Sequence, residues 1–179
     1  MNAPRTCDAC GRAGHRLRQI DAGCADDVET VAGRMRETLV EVLGEERGTA
    51  LYSMDWLRRR VLWHLDPAEA RAAVFVSEVE GARVTGHTIV RVEHEEPGAR
   101  PIGLFSTTFV ERGSRRRGIA DCLLCHGERW MRAQRMPEAV TYTATHNAKL
   151  IGLYLKHGYV LLPAGAEMVR LAKTLAPLA

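Results

Sequence analysis

Between residues 26 and 65 apolar side chains return every three or four positions. That spacing sets one stripe of a helix against a core. Val28, Val31, Ala32, Met35, Leu39, Val42 and Leu43 predict a first amphipathic helix. Asp26 with Glu29 forms a capping box at its start, and Gly44 is a natural stop. Leu51, Met54, Leu57, Val61 and Leu65 predict a second helix from 47 to 65, closed by Asp66-Pro67. The rhythm then shortens to the strand pattern. Residues 72–94 read as two strands joined by a tight turn at Glu80-Gly81, and 102–110 as a third. Ile119 and Leu123, with His126 or Trp130, mark another helix; 138–146 is a strand and 147–158 a helix ended by Gly158. Two strands, 159–162 and 167–175, finish the chain, and 15–21 supplies a strand before the first helix. The order is that of one mixed α/β domain spanning 15–179, with no internal linker or repeat.

Composition adds limits. The chain has 179 residues, 46% of them hydrophobic and 26% charged, enough for one sizeable soluble core. A net charge of +3 is too small to point to nucleic acid. No apolar run is long enough to span a bilayer, so no membrane partner is expected. The opening residues lack the apolar core of a signal peptide, and five cysteines cannot all be paired. Both features predict a reducing, cytoplasmic setting.

Residues 1–14 read as an arm before the domain. Cys7, Cys10 and His15 stand at Cys-x2-Cys-x4-His spacing, like three ligands of a zinc knuckle. The position for a fourth ligand is Ile20, so a zinc site would need Cys24 through a longer loop. An arm without metal is the alternative. Zinc-assisted nucleic-acid binding through this arm would require both a bound metal and salt-dependent affinity. Cys122 and Cys125 fall inside a predicted helix beside Leu123 and Leu124, where small core residues explain them.

Arg115, Arg116 and Arg117 stand just ahead of a helix start. A helix N-terminus already carries partial positive charge and open N–H groups, so three arginines there suit an arriving anion. A solvated basic turn would show the same letters.

The segment Arg115-Arg116-Arg117-Gly118-Ile119-Ala120 resembles the signature of the GNAT superfamily of acyl-CoA-dependent N-acyltransferases: Arg or Gln, two variable residues, Gly, one variable residue, then Gly or Ala. The strand ending at Phe109-Val110 precedes it at the family's usual distance. Asn147, Tyr154, Lys156, Gly158 and Tyr159 are similar to the family's second motif. Arg112 departs from the proline often found after the strand. The resemblance covers everything except the arm. It implies a GNAT fold: a mixed, mostly antiparallel sheet with a V-shaped splay near Phe109, flanked by helices.

The activity implied is acetyl transfer from acetyl-CoA to a primary amine on a small molecule or peptide. A non-catalytic acyl-CoA sensor of the same fold is the rival, and a homodimer is compatible with either. The resemblance places the pyrophosphate on the backbone of residues 116 to 120. Gly118 permits close approach, Ala120 keeps the helix start uncrowded, and the arginines screen charge. It gives Val110 the backbone N–H facing the thioester oxygen, Asn147 a bond to the pantetheine arm, and Tyr154 the proton for the leaving thiolate. For the general base His146 is best placed, with His87 and Glu93 as rivals or a water relay instead. Trp56, Arg60 and Trp63 share one face of the second helix and either line a mouth or form a solvated border. The acidic run Glu93, Glu95 and Glu96 would attract a cationic amine or sit in solvent.

Overall fold

The structure is a computed structural model that describes residues 14–79 and 83–176. β1 (Arg16–Gln19) leads into three helices, α1 (Ala25–Leu43), α2 (Glu45–Ala50) and α3 (Met54–Leu65). β2 (Ala72–Val79), β3 (Arg83–Glu93) and β4 (Ile102–Val110) follow. A 3-10 turn at Arg112–Ser114 precedes α4 (Ile119–Ala133) and β5 (Glu138–Ala144). α5 (Ala148–Lys156), β6 (Val160–Pro163) and β7 (Met168–Thr174) complete the fold. The seven strands form one sheet in the order β1-β2-β3-β4-β5-β7-β6. Every pairing is antiparallel except β4 with β5, so the expected mixed α/β sheet is present. The expected turn at Glu80-Gly81 lies outside the described residues. Among the described residues no helix is long and apolar enough to cross a membrane.

Two layers of helix cover the sheet, and strand alternation assigns residues to each. On β2, Ala73 and Phe75 join a core with Leu124 and Met131 of α4 and Tyr154 of α5. Val74 and Val76 join the opposite core with Val31 of α1 and with Leu57 and Val61 of α3. Side chains as fully buried as Leu57 and Val61 each contribute on the order of 1.5–3 kcal/mol. α4 lies close on β4: a Cβ at Gly127 would stand 2.4 Å from the Phe105 ring.

The first two helices differ from their sequence reading. Asp26 and Glu29 form no capping box; α1 starts behind Cys24, with no side-chain cap. Asp27 is buried and takes both terminal nitrogens of Arg18 at 2.6 and 2.7 Å, while Arg18 Nε donates to Glu78 at 2.5 Å. Glu29 instead pairs with Arg58 of α3. These acids tie α1 to the sheet and to α3 rather than satisfying its first turn. The expected helix 47–65 is broken after Ala50. Arg36 of α1 donates to the carbonyls of Gly48 and Thr49, each at 2.6 Å, and to that of Tyr52. Ser53 then starts α3 afresh, its Oγ accepting from Trp56 N at 3.1 Å. Leu51, expected inward, is 52% exposed.

Two irregularities in β4 prepare the site. Ile89 pairs with Thr107 but Val90 with Phe105, leaving Ser106 as a bulge. The β4–β5 ladder ends at Phe105↔Thr141, although β4 continues to Val110 and β5 to Ala144. Pairing therefore stops ahead of Phe109.

Candidate active site

Where the β4–β5 ladder ends, Tyr154 of α5 is fully buried. Its ring packs edge-on against Phe105 at 5.6 Å and Tyr159 at 4.8 Å. Its hydroxyl hydrogen-bonds Thr108 of β4 and Thr141 of β5, one on each side of the break. Burial raises the phenol's pKa well above its ordinary value, with both threonine bonds opposing the shift. The hydroxyl is therefore protonated at any physiological pH. The Val110 backbone completes this edge. Glu111 N donates to Thr85 O at 2.8 Å, and the alternation of an antiparallel ladder turns the preceding residue away from β3. Arg115 Nε reaches Val110 O at 2.8 Å from that outer side.

The loop after β4 has the geometry of an anion cradle. Arg116 and Gly118 take positive φ, 61° and 80°, and Gly118 is the residue before α4. No side chain caps that helix start, and the first helical bond, Cys122 N to Gly118 O, leaves the N–H groups of Ile119, Ala120 and Asp121 open. Arg116 and Arg117 are exposed, with no ion pair among the described residues. Arg115 has a different place from its neighbours. Its guanidinium is bidentate on Glu41 of α1, at 2.9 and 2.7 Å. Glu41 also takes Lys149 at 3.1 Å, so one carboxylate links α1, this loop and α5. Asp121 in the first turn of α4 would repel an anion, but Lys156 and His157 each bind it at 2.7 Å.

Asn147 caps α5: its Oδ1 accepts from Leu150 N at 3.3 Å and its Nδ2 donates to Thr143 at 2.9 Å. His146 is exposed, 3.3 Å from Val42 O at the end of α1. His87 is sealed under Phe109, and burial pushes its pKa down to about 3. Glu93 holds Arg91 at 2.5 Å, and Glu95 is taken by Arg170 and Tyr142. The contacts of these four acids and bases are with other residues and not with Tyr154. Of the zinc set, His15 precedes β1 and Cys24 precedes α1, while Cys7 and Cys10 lie outside the described residues. Among the described residues no group of three or more His, Cys, Asp or Glu is arranged to hold a metal. Cys122 is a core residue and Cys125 half-buried.

On the α1–α3 face, a cavity of about 300 Å³ opens beside the β4 bulge. Trp56, Arg60 and His64 of α3, Arg91 of β3 and Thr107 of β4 contribute to its wall. Trp56 stacks on Tyr52 at 3.9 Å, and Arg60 lies 4.1 Å over the Trp63 ring. The shared helix face of Trp56 and Arg60 therefore lines a mouth, with Trp63 behind it. His64 was not singled out by the sequence. It is 2% exposed, and burial, with the Arg60 and Arg91 charges, brings its pKa down to about 4. Its Nδ1 lies 2.7 Å from Arg60 O. A carbonyl only accepts, so Nδ1 carries the proton and Nε2 is a bare acceptor.

A mostly antiparallel sheet with one parallel pair that stops early, a glycine-bearing loop at a helix start and a buried tyrosine at the break are the arrangement that the resemblance to acyl-CoA-dependent N-acyltransferases implied. The family model described as acetyltransferase (GNAT) family matches residues 35–159, and the chain belongs to that family of N-acetyltransferases. Solved structures agree on the fold. A PaiA N-acetyltransferase from Thermoplasma acidophilum, in complex with coenzyme A, is 13% identical with a TM-score of 0.68, over 89% of this chain and 98% of that one. A ribosomal-protein-alanine N-acetyltransferase from Brucella melitensis is 18% identical, TM-score 0.71, over 89% and 99%. A GNAT-family acetyltransferase from Streptococcus pneumoniae is 17% identical, TM-score 0.67, over 90% and 99%. No curated protein matches the chain in sequence.

Proposed function

We propose that this N-acetyltransferase draws its acetyl group from acetyl-CoA bound along the Val110–Ala120 edge, and that the acceptor amine enters from the cavity on the α1–α3 face. The observation that carries this reading is the Tyr154 hydroxyl bridging Thr108 and Thr141 where β4 and β5 stop pairing. A pantetheine arm lying in that gap brings its sulfur to the buried phenol of Tyr154. The residues present suit the donor. The open N–H groups of Ile119, Ala120 and Asp121 and the unpaired Arg116 and Arg117 face a pyrophosphate, as the coenzyme A held by the Thermoplasma protein makes reasonable for this fold. Arg115 stabilises the loop through Glu41 and leaves anion contact to its neighbours. Asn147 keeps one Nδ2 hydrogen for the pantetheine arm.

The neutral amine nitrogen bonds to the thioester carbon while Val110 N–H receives the developing oxyanion. The C–S bond then breaks as Tyr154 gives its proton to the departing sulfur, and the surplus proton on the new amide nitrogen passes through water to the Tyr154 oxygen, which restores the phenol. A phenol with so high a pKa gives up its proton only as thiolate charge develops, which is where catalysis needs it. The sensor alternative has no use for a donor at this position. The test is thiol release from acetyl-CoA across a panel of primary amines. Amine-dependent release is expected; tight acetyl-CoA binding with no release on any amine would favour the sensor.

A further inference from the structure

The cavity has unusual polarity for an amine site. Three buried polar atoms of its lining residues have no partner: Arg91 Nε, His64 Nε2 and Thr107 Oγ1. Unmet buried groups are costly unless a ligand or water completes them. Two guanidiniums share the space. Arg60 has no ion pair among the described residues, and Arg91 lowers the Arg60 pKa, as burial does more strongly. Glu93, at 2.5 Å from Arg91 Nη2, is the carboxylate that offsets them. With His64 neutral, two cations face one anion. A polyamine would bring further positive charge against this wall. An oxyanion would pair with Arg60 and complete Arg91 Nε.

Resting on the acetyltransferase reading, we propose that the acceptor is an aminocarboxylate. Its carboxylate sits between Arg60 and Arg91, its amine donates an N–H to His64 Nε2, and its side chain lies along the Tyr52–Trp56 stack. Such an orientation holds the nitrogen lone pair free for the thioester, with the carboxylate as anchor rather than reactant.

The experiment compares proteinogenic amino acids with their decarboxylated amines, pair by pair, as acceptors in acetyl-CoA-dependent thiol release. The best amino acid is expected to exceed its decarboxylated partner at least tenfold in kcat/KM. Arg60→Gln should cut kcat/KM for that amino acid by roughly ten- to hundredfold, mainly through KM, as loss of a charge-assisted contact implies. Arg60→Lys should recover part of it. Equal or better turnover of the decarboxylated amines overturns the proposal. A second readout separates it from the chemistry: thermal unfolding without coenzyme A, with and without the deaminated carboxylate of the same side chain. A rise in Tm in the parent that is absent in folded Arg60→Gln supports the carboxylate seat even if no amine is acetylated. No rise in the parent, together with no preference in turnover, refutes it.

Discussion

Glu41→Gln tests how the loop entering α4 is held. Both oxygens of Glu41 are taken by Arg115, at 2.9 and 2.7 Å, and one also by Lys149 at 3.1 Å. The Arg115 hydrogen bonds do most to bring the carboxyl down from its ordinary 4.5 to about 2, with burial opposing and Lys149 helping. A displacement of that size corresponds to roughly 3 kcal/mol. Glu41 and Arg115 are 24% and 27% exposed, and screening by solvent reduces the net to about 1–2 kcal/mol. The folded value is depressed, so the stabilisation is complete above the unfolded value and disappears as pH falls toward 2. Urea unfolding followed by tryptophan fluorescence should show Glu41→Gln less stable by about 1–2 kcal/mol at pH 7. The gap should shrink to less than half by about pH 3. A gap that is absent at pH 7, or unchanged between pH 7 and pH 3, would refute the ion-pair account.

Two further outcomes follow from buried contacts. Tyr154→Phe keeps the ring packing and should bind acetyl-CoA nearly as before, while turnover on an established amine falls by roughly 10²–10⁴; full turnover would remove the acid role. Gly127→Ala places a methyl 2.4 Å from the Phe105 ring, which is itself wedged against Tyr154, and should cost about 1–3 kcal/mol in urea unfolding; parent-like stability would show that α4 is free to shift.

The order of helices and strands was legible because it rests on local periodicity, and the family motifs mark the loop and the buried tyrosine. What was missed depends on partners distant in sequence. The break after Ala50 comes from Arg36 capturing carbonyls of the next segment, so the apolar repeat carried straight through it. Ser53, a good capping residue inside that stretch, was the available sign. Arg115 reads as one of three equivalent arginines until Glu41, 74 positions away, claims it. The β4 bulge falls at Ser106, ahead of Thr107 and Thr108, residue types that suit a regular strand equally well. His64 differs from any other helical histidine only through the cavity around it, although its spacing of four from Arg60 was visible.

The central claim is that acetyl-CoA sits on the backbone of the loop entering α4. Isothermal titration of acetyl-CoA into the parent and into Gly118→Val tests it most directly. Gly118 holds φ 80°, a conformation that a β-branched residue resists, and in the proposed pose a side chain there would stand between the backbone and the pyrophosphate. The parent should bind one acetyl-CoA per chain, and a Gly118→Val protein with parent-like circular dichroism should lose most of that affinity. Unchanged affinity in a folded Gly118→Val protein would contradict the account.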